Sequence, residues 1–249
     1  MREKFKQQLE EMYRQMVVMG GLCQQAIAMA VKTLDEEEEA AERLETQVHV
    51  LDSEIDDMER EIESLCTKLL LKQQPVATDL RRITAALKMV TDLERIGDQA
   101  SDIAELARFI RQGSRNEHLQ KMAADVIRMV SESVEAFVRL NLDQAREVIA
   151  YDDVVDHWFD EIKKELIARI AQDSSAGEEF LDVFMVAKYL ERIGDHATNL
   201  AEWVEYAMTG ARSKDGLWVD PAEGVSGHSN YPRFNLFLVV LFTFFCYTD

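Results

Sequence analysis

Apolar residues recur at alternating steps of three and four along most of the chain, which is the periodicity of helices that bury one face. The first such stripe runs from Phe5 to Ala30, and the second runs from Leu44 to Leu69. Four more stripes follow: Ala86 to Ile110, Leu119 to Leu140, Val148 to Leu166, and Val183 to Val204. The pattern predicts six amphipathic helices joined by short turns.

Helix-boundary signals fall between the stripes. Three Ser/Thr and Glu pairs have the spacing of a capping box: Thr33 with Glu36, Ser114 with Glu117, and Ser175 with Glu178. Breaks or turns are predicted at Pro75, at Gly113, across Asn141 to Asp143, and at Gly210.

The second half of the chain repeats the first. The sixth stripe equals the third shifted by 97 positions, and Tyr151–Asp156 lies over Leu51–Asp56 at a shift of 100. The predicted fold is therefore all-α, with two tandem, spectrin-repeat-like three-helix bundles related by a pseudo-two-fold axis. Residues 1–113 would form the first bundle and residues 114–210 the second. Residues 211–249 have no clear period and are expected to form an irregular C-terminal tail.

Composition narrows the function classes. A hydrophobic content of 47% supplies a core, and only 3 prolines and 10 glycines interrupt strong helix formers. The net charge of −19 would repel a phosphate backbone, so no nucleic-acid partner is expected. Cys23, Cys66 and Cys246 form no CxxC pair, and the first two lie on apolar helical faces. We expect them to be reduced, buried thiols of a cytoplasmic protein. No uninterrupted apolar run reaches the ~18 residues of a usual transmembrane helix, so no transmembrane helix is expected.

One acidic pentapeptide occurs twice, as Glu94–Asp98 on the third helix and as Glu191–Asp195 on the sixth. Within each copy the first and last residues are acids one helical turn apart and share a face, where like charges repel. Asp102 extends the row in the first copy, whereas Asn199 stands at its place in the second. Such an arrangement is costly unless something neutralises it.

Two further features surround the pentapeptides. Gly97 and Gly194 lie in mid-helix, where glycine is less favourable than alanine by ~0.8–1 kcal/mol, a cost that a close backbone approach would justify. The neighbouring helices carry acid pairs of the same spacing, Asp52 with Asp56 and Asp152 with Asp156. Facing acid pairs would form clusters of hard oxygen ligands for divalent or trivalent cations. The candidate metal ligands are Glu94, Asp98, Asp102, Asp52 and Asp56 in the first cluster and Glu191, Asp195, Asp152 and Asp156 in the second.

The alternative is that these acids form an ordinary solvated helix face with Arg95 and Arg192 as partners. His196 is a weaker candidate ligand, because Gln99 holds its place in the first copy, and His157 is an accessory candidate beside Asp156. No catalytic nucleophile paired with a base, phosphate-binding glycine loop or zinc-type cysteine cluster occurs, so no catalytic or organic-cofactor residue is predicted.

Three segments resemble the PhoU family of phosphate-uptake regulators: Gln73–Arg81, Asp92–Asp98 and Tyr189–Ala197. The resemblance covers residues 1 to about 210 and both repeats. It implies two three-helix bundles, each with a Glu/Asp-x-x-x-Asp motif that helps to hold a metal ion or cluster. Carried over to this chain, the motif residues are Glu94 with Asp98 and Glu191 with Asp195; the neighbouring-helix acids match less distinctively. The resemblance does not identify the metal, which could be iron, zinc, magnesium or manganese.

The resemblance also implies a regulatory, non-catalytic function. Family members restrain phosphate uptake and phosphate-starvation signalling when phosphate is plentiful. Their expected partners are the membrane sensor histidine kinase and the ATPase subunit of the phosphate ABC transporter, which would bring the protein to the membrane through those partners. A homodimer is one possible assembly. Two alternatives stay open: a metal-free helical adaptor and a carboxylate-bridged metalloenzyme, which would usually need histidine ligands.

The tail departs from the family pattern, since related chains usually finish close to Gly210. Residues 211–249 are either a genuine extension, whose aromatic end could touch a membrane surface, or unrelated residues appended by a reading-frame change.

Overall fold

The computed structural model describes residues 2–73, 75–107, 109–110, 117–173 and 177–211, except for the side chains of residues 2 and 73. Within these ranges the chain contains helices and turns and no strand. The helices are α1 (Arg2–Thr33), α2 (Glu38–Gln73), α3 (Ala77–Ala107), α4 (Glu117–Arg139), α5 (Leu142–Gln172) and α6 (Gly177–Thr209). The predicted all-α fold with six helices is confirmed.

Several predicted boundaries are confirmed. Pro75 lies just before α3, where its missing N–H costs no helical hydrogen bond. Asn141 caps α5, because its side-chain oxygen accepts a hydrogen bond from the Gln144 backbone N–H at 3.2 Å. Gly210 ends α6 with a φ of +84°, and its N–H donates to the Tyr206 carbonyl at 2.8 Å.

The predicted capping box at Thr33 is wrong. Thr33 is the last residue of α1 rather than the residue before α2, and α2 begins only at Glu38. The Thr33 hydroxyl donates to the Ala30 carbonyl inside α1, and the Glu36 N–H donates to the Thr33 carbonyl across the turn at 3.3 Å. The hydroxyl therefore closes the end of one helix instead of opening the next.

Some predicted boundary residues lie outside the described residues. They are Gly113, Ser114 and Ser175, together with Cys246 and all of the predicted tail beyond Ala211. The boundary between bundles at residues 113 and 114 therefore stays a prediction.

The helices pack as two three-helix bundles. Helices α1, α2 and α3 contact one another, and so do α4, α5 and α6. The bundles meet through α3 against α6 and α1 against α4, and all six helices belong to one compact unit. Among the described residues α2 packs only on α1 and α3, and α5 only on α4 and α6. The central helices thus carry the contact between bundles, while α2 and α5 lie on the outside.

The core follows the predicted stripes. Every predicted core position of α3 from Ala86 to Ala107 is buried, and so is every one of α6 from Val183 to Val204. Cys23 and Cys66 are buried and unpaired, as predicted. The Cys23 thiol donates to the Leu93 carbonyl at 3.3 Å, which ties α1 to α3.

Helix α1 differs from expectation in one respect. Its segment Glu3–Thr33 is long and apolar enough, by length and composition, to cross a membrane, although it contains no uninterrupted apolar run of ~18 residues. Half of its most apolar window is buried inside the protein, where α1 contacts α2, α3 and α4. Core helices of soluble proteins share these properties.

Candidate functional site

Helices α2 and α3 are in close contact at Gly97. A Cβ placed on Gly97 would lie 2.9 Å from Asp52 Oδ1 and 3.1 Å from Ile55 Cδ1. Because real Cβ atoms essentially never come so near, only glycine fits without a shift of its neighbours. The close approach predicted from the mid-helix glycine is confirmed, and it lays the Asp52 carboxylate over the backbone of α3.

Five carboxylates surround this contact, and we call them the first acidic cluster: Asp52, Asp56, Glu59, Glu94 and Asp98. The pKa of Glu94 is raised to about 7, first by burial and then by Asp98, Glu59 and Asp56, while Arg95 opposes the shift. Burial and Asp56 likewise raise the pKa of Asp98. The carboxylates of α2 and α3 therefore repel one another across the helix contact.

The base of the cluster contains two neighbouring polar groups, the Asp52 carboxylate and the Ser101 hydroxyl. Asp52 Oδ1 is buried and makes no hydrogen bond of regular geometry, and Ser101 is only 7% exposed. Burial raises the pKa of Asp52, Asp98 and Asp56 add to the shift, and interaction with the Ser101 hydroxyl opposes it. Buried polar atoms are normally satisfied, so the Asp52 oxygen is suited to a further ligand.

Glu59 is a member that the sequence reasoning missed. Its pKa is raised first by burial and then by Glu63, while a hydrogen bond from Thr91 of α3 opposes the shift. Glu59 lies three residues after Asp56 and so continues the same face of α2. Glu59 was missed because only acids spaced four residues apart were considered. Including a spacing of three after Asp56 would have identified it.

The α5–α6 contact repeats the arrangement with less crowding. A Cβ on Gly194 would lie 3.1 Å from Val155 Cγ1 and 3.7 Å from Asp152 Oδ1. We call Asp152, Asp156, Glu191 and Asp195, with Lys188, the second acidic cluster. Burial and then Glu191 raise the pKa of Asp156, and Lys188 opposes the shift. The Lys188 ammonium lies 2.5 Å from Glu191 Oε2, so this cluster contains its own cation.

Asp102 lies at a different contact from the rest of its predicted row. It accepts a hydrogen bond from Tyr189 of α6 and lies near Arg192, and these two groups partly offset the rise in its pKa that burial, Glu105 and Asp98 cause. The structure thus places Asp102 between the two bundles, one turn beyond the first acidic cluster.

His196 also lies between the bundles. Its Nδ1 is 3.0 Å from Asp92 Oδ1, and the Asn199 side-chain amide donates to the same oxygen at 3.4 Å. His196 and Asp92 are largely buried, with side chains 15% and 16% exposed. The accessory candidate His157 is exposed, and its ring lies 5.6 Å from that of Trp158. The structure brings neither histidine among the carboxylates of the second acidic cluster.

The clusters contain hard oxygen donors, but the donors are not arranged as a coordination sphere. Within the described ranges, no group of three or more His, Cys, Asp or Glu side chains lies close enough together to hold a metal ion. The Asp52 oxygen, which makes no hydrogen bond of regular geometry, and the mutual repulsion of the carboxylates fit the chemistry of a hard cation. Binding one there would require carboxylate side chains to rotate towards it.

Comparisons with known proteins converge. The family model described as the PhoU domain matches twice, at residues 16–107 and 119–204. The phosphate-specific transport system accessory protein PhoU homolog of Clostridium acetobutylicum is 37% identical over 214 residues, which are 84% of this chain and 96% of the relative. Its counterpart from Pseudomonas aeruginosa is 36% identical over 212 residues, 84% and 86% of the two chains.

A solved structure agrees with the fold. The crystal structure of PhoU from Pseudomonas aeruginosa matches with a TM-score of 0.76 at 35% identity and covers 83% of this chain and 100% of that one. The two matches to the family model coincide with the two bundles described above.

Proposed function

The chain belongs to the PhoU family, and on that premise we propose that it is a non-catalytic accessory regulator of a phosphate-specific transport system. The observation that carries the proposal is the extent of the match, since both repeats align with the PhoU domain and relatives named for this role align over most of their length. A fold alone would not carry a function, whereas similarity of this extent and identity supports one.

The proposed action is negative. The protein would restrain phosphate uptake and phosphate-starvation signalling by binding the ATPase subunit of the phosphate ABC transporter and the membrane sensor histidine kinase. A cytoplasmic location accords with the buried, unpaired thiols of Cys23 and Cys66, since disulfides are rare in the cytosol. Association with the membrane would then be peripheral and would pass through those partners.

We further propose that a divalent or trivalent cation assists this binding, with iron, zinc, magnesium and manganese as candidates. The first acidic cluster would take it, using the carboxylates of Asp52, Asp56, Glu59, Glu94 and Asp98. A cation there would offset the repulsion that raises the pKa of Glu94 and would give the orphaned Asp52 oxygen a partner. It would also tie α2 to α3 and fix the surface that a partner meets.

The second candidate function is a metal-free helical adaptor. It is favoured by the absence, among described residues, of three donor side chains close enough to hold a metal. The metalloenzyme alternative has less support, because His196 is engaged by Asp92 at the contact between bundles. In the adaptor, partner binding would not respond to metal chelators.

A deletion and complementation experiment tests the regulatory function. Loss of the gene is expected to switch on a phosphate-starvation reporter in phosphate-rich medium, and the wild-type gene should restore repression. The double variant Asp52→Asn with Glu94→Gln should restore less repression at equal protein level, while Glu54→Gln, an exposed change between the two α2 acids, should behave as wild type. A reporter that stays silent in the deletion strain would overturn the regulatory proposal. Full repression by the double variant would favour the adaptor.

A further inference from the structure

An open pocket lies on the outer side of the first bundle, in the groove between α1 and α2. Its volume is about 630 Å³, and its walls include Glu11 and Gln15 of α1 and Glu61, Ser64 and Lys68 of α2. In the described part of the chain α2 packs only on α1 and α3, so the groove is open to solvent. The first acidic cluster lies on the side of α2 that faces α3. The pocket is therefore a separate site.

The pocket contains a buried hydrogen-bond acceptor without a donor. The side-chain amide of Gln15 donates to the Glu11 carboxylate, which directs its nitrogen towards Glu11. The Gln15 oxygen, Oε1, is buried and accepts no hydrogen bond from the described residues. Because buried polar atoms are normally satisfied, this oxygen is suited to an N–H donor from a ligand.

The charges in the pocket favour a cationic ligand. Three carboxylates line it, against two cations, Arg60 and Lys68. Asp57 already binds Arg60 at 2.5 Å, and Glu11 binds Arg14 at 2.5 Å. Glu61, the third carboxylate, is exposed. A basic side chain placed at Glu61 would also bring N–H donors into the pocket that contains the Gln15 oxygen, and only arginine and lysine side chains combine permanent charge with such donors.

The groove continues from the pocket as an apolar surface. Val18 and Leu22 continue the α1 row that contains Gln15, and Val50 continues the α2 row that contains Glu61. Because α1 and α2 are antiparallel, both rows reach their apolar residues at the same end of the groove. Val18 is 44% exposed and Val50 is 54% exposed. A groove that is apolar at one end and acidic at the other complements an amphipathic helix with a basic residue.

The equivalent groove of the second bundle is closed by its own side chains. Helix α4 repeats α1 at a shift of 103, since every buried position from Met16 to Leu34 then falls on a buried position of α4. Between α4 and α5, Asp125 accepts hydrogen bonds from the Tyr151 hydroxyl and the Trp158 indole N–H, both at 2.9 Å. The His118 ring stacks on Trp158 with the ring centres 5.5 Å apart.

The first groove has no side chains that could build the same bridge. At the shifts of 103 and 100, the equivalents of Asp125, Tyr151 and Trp158 are Leu22, Leu51 and Met58. None of these three can donate or accept the hydrogen bonds that close the second groove. The two bundles therefore share a fold but present different outer surfaces, one closed and one open.

We propose that the groove between α1 and α2 is a docking surface for an amphipathic helix of a partner protein. An arginine or lysine of that helix would bind Glu61 and the Gln15 oxygen, and its apolar residues would pack on Val18, Leu22 and Val50. The inference rests on the proposed function, in which the protein acts by binding other proteins, and it identifies the surface that does so. It does not depend on the proposed cation.

Photocrosslinking in cells tests the inference. The photoreactive residue p-benzoylphenylalanine replaces Ser64 in the full-length protein, and in a control it replaces Lys164, the exposed repeat equivalent at the shift of 100. Crosslinked peptides are identified by mass spectrometry. Residue 64 is expected to crosslink to a helical segment that carries a basic residue within two turns of apolar ones, whereas residue 164 is not.

Charge and apolar variants with matched controls establish specificity. Glu61→Lys should lower the crosslink yield at residue 64 at least about tenfold, because it sets like charges against each other, and Glu61→Gln should lower it by a smaller factor. Glu161→Lys, the equivalent change in the second bundle, should leave the yield unchanged. Val18→Asp should lower the yield, while Val17→Asp, at a similarly exposed position on another face of α1, should not. Circular dichroism checks that each variant folds.

The outcomes separate the inference from the proposed function. Equal yields at residues 64 and 164, a crosslink to an acidic segment or to a second copy of this chain, or a yield unaffected by both Glu61 variants would overturn the inference. Binding of the purified ATPase subunit or sensor kinase that no groove variant weakens would overturn it too and would leave the proposed function intact. A crosslink to a basic helix of some other protein, sensitive to Glu61→Lys, would support the docking surface and count against the proposed partners.

Discussion

Replacing Gly97 by alanine tests the close contact between α2 and α3. The new methyl group would gain ~0.8–1 kcal/mol from helix propensity. It would also lie 2.9 Å from Asp52 Oδ1 and 3.1 Å and 3.3 Å from two carbons of Ile55. Asp52 can swing away at little cost, but Ile55 is fully buried and β-branched, and overpacking of this kind typically costs ~1–3 kcal/mol. The net result expected is a loss of stability of ~0–2 kcal/mol.

Gly21 supplies the matched control. It also lies in mid-helix, in α1, but a Cβ there would meet nothing within 4 Å. Gly21→Ala should therefore show the propensity gain alone, a stabilisation of ~0.8–1 kcal/mol. The difference between the two variants isolates the packing penalty at Gly97, expected to be ~1–3 kcal/mol. Gly194→Ala should fall between them, since Asp152 Oδ1 is 3.7 Å away and only Val155 is close, at 3.1 Å.

The free energy of unfolding of all three variants is measured by urea unfolding followed by circular dichroism. The midpoint urea concentration and the m-value are compared at constant pH. A second measurement is Mn²⁺ binding to the proposed site in the first acidic cluster, because displacement of Asp52 by the new methyl should weaken that binding in Gly97→Ala and not in Gly21→Ala. If Gly97→Ala stabilises the protein as much as Gly21→Ala does, the helices are not in close contact there, and the reasoning about the first acidic cluster loses its geometric basis.

Three further predictions follow from the same structure. The pKa of Glu94 is about 7 in the folded protein against an ordinary 4.5, so without metal the wild type should lose stability as the pH rises through about 7. Glu94→Gln should reduce this loss between pH 5 and pH 8 in urea unfolding, and an unchanged loss would contradict the assignment. Cys23 and Cys66 should resist alkylation until the protein unfolds, because burial raises the pKa of both thiols, that of Cys66 to about 12. Mass spectrometry that finds either residue rapidly alkylated in the native protein would refute this. Asp92→Asn should cost ~1–2 kcal/mol of stability by weakening the hydrogen bonds to His196 and Asn199, and a double-mutant cycle with His196→Asn should give a coupling energy clearly above zero.

Periodicity predicted the helices and their buried faces because the spacing of apolar residues along one helix determines which of its faces is buried. The glycine prediction succeeded for a related reason. A mid-helix glycine is locally unfavourable, so Gly97 pointed to a contact that the structure then showed with Asp52 and Ile55.

Side-chain partners between bundles could not be predicted in the same way. Asp102 continues the acidic row on its own helix, yet it accepts a hydrogen bond from Tyr189 across the bundle contact. His196 adjoins the second motif in sequence and instead meets Asp92, 104 positions away. The pairing of α3 with α6 determines both outcomes, and spacing along one helix contains no information about it. Asp102 and its repeat equivalent Asn199 therefore both lie at the contact between bundles, and the metal-ligand role of Asp102 stays a prediction.

The contacts between α3 and α6 follow the symmetry of the internal repeat. Asp92 meets Asn199, and Tyr189 meets Asp102. At the shift of 97, Asp92 is equivalent to Tyr189, and Asp102 is equivalent to Asn199, so each contact is the reciprocal of the other. Reciprocal contacts define the isologous interface of a symmetric homodimer. A single repeat could therefore have bound its own copy through this surface, and duplication and fusion of its gene would have left one chain in which the two halves were free to diverge, as Thr91 and Lys188 have done.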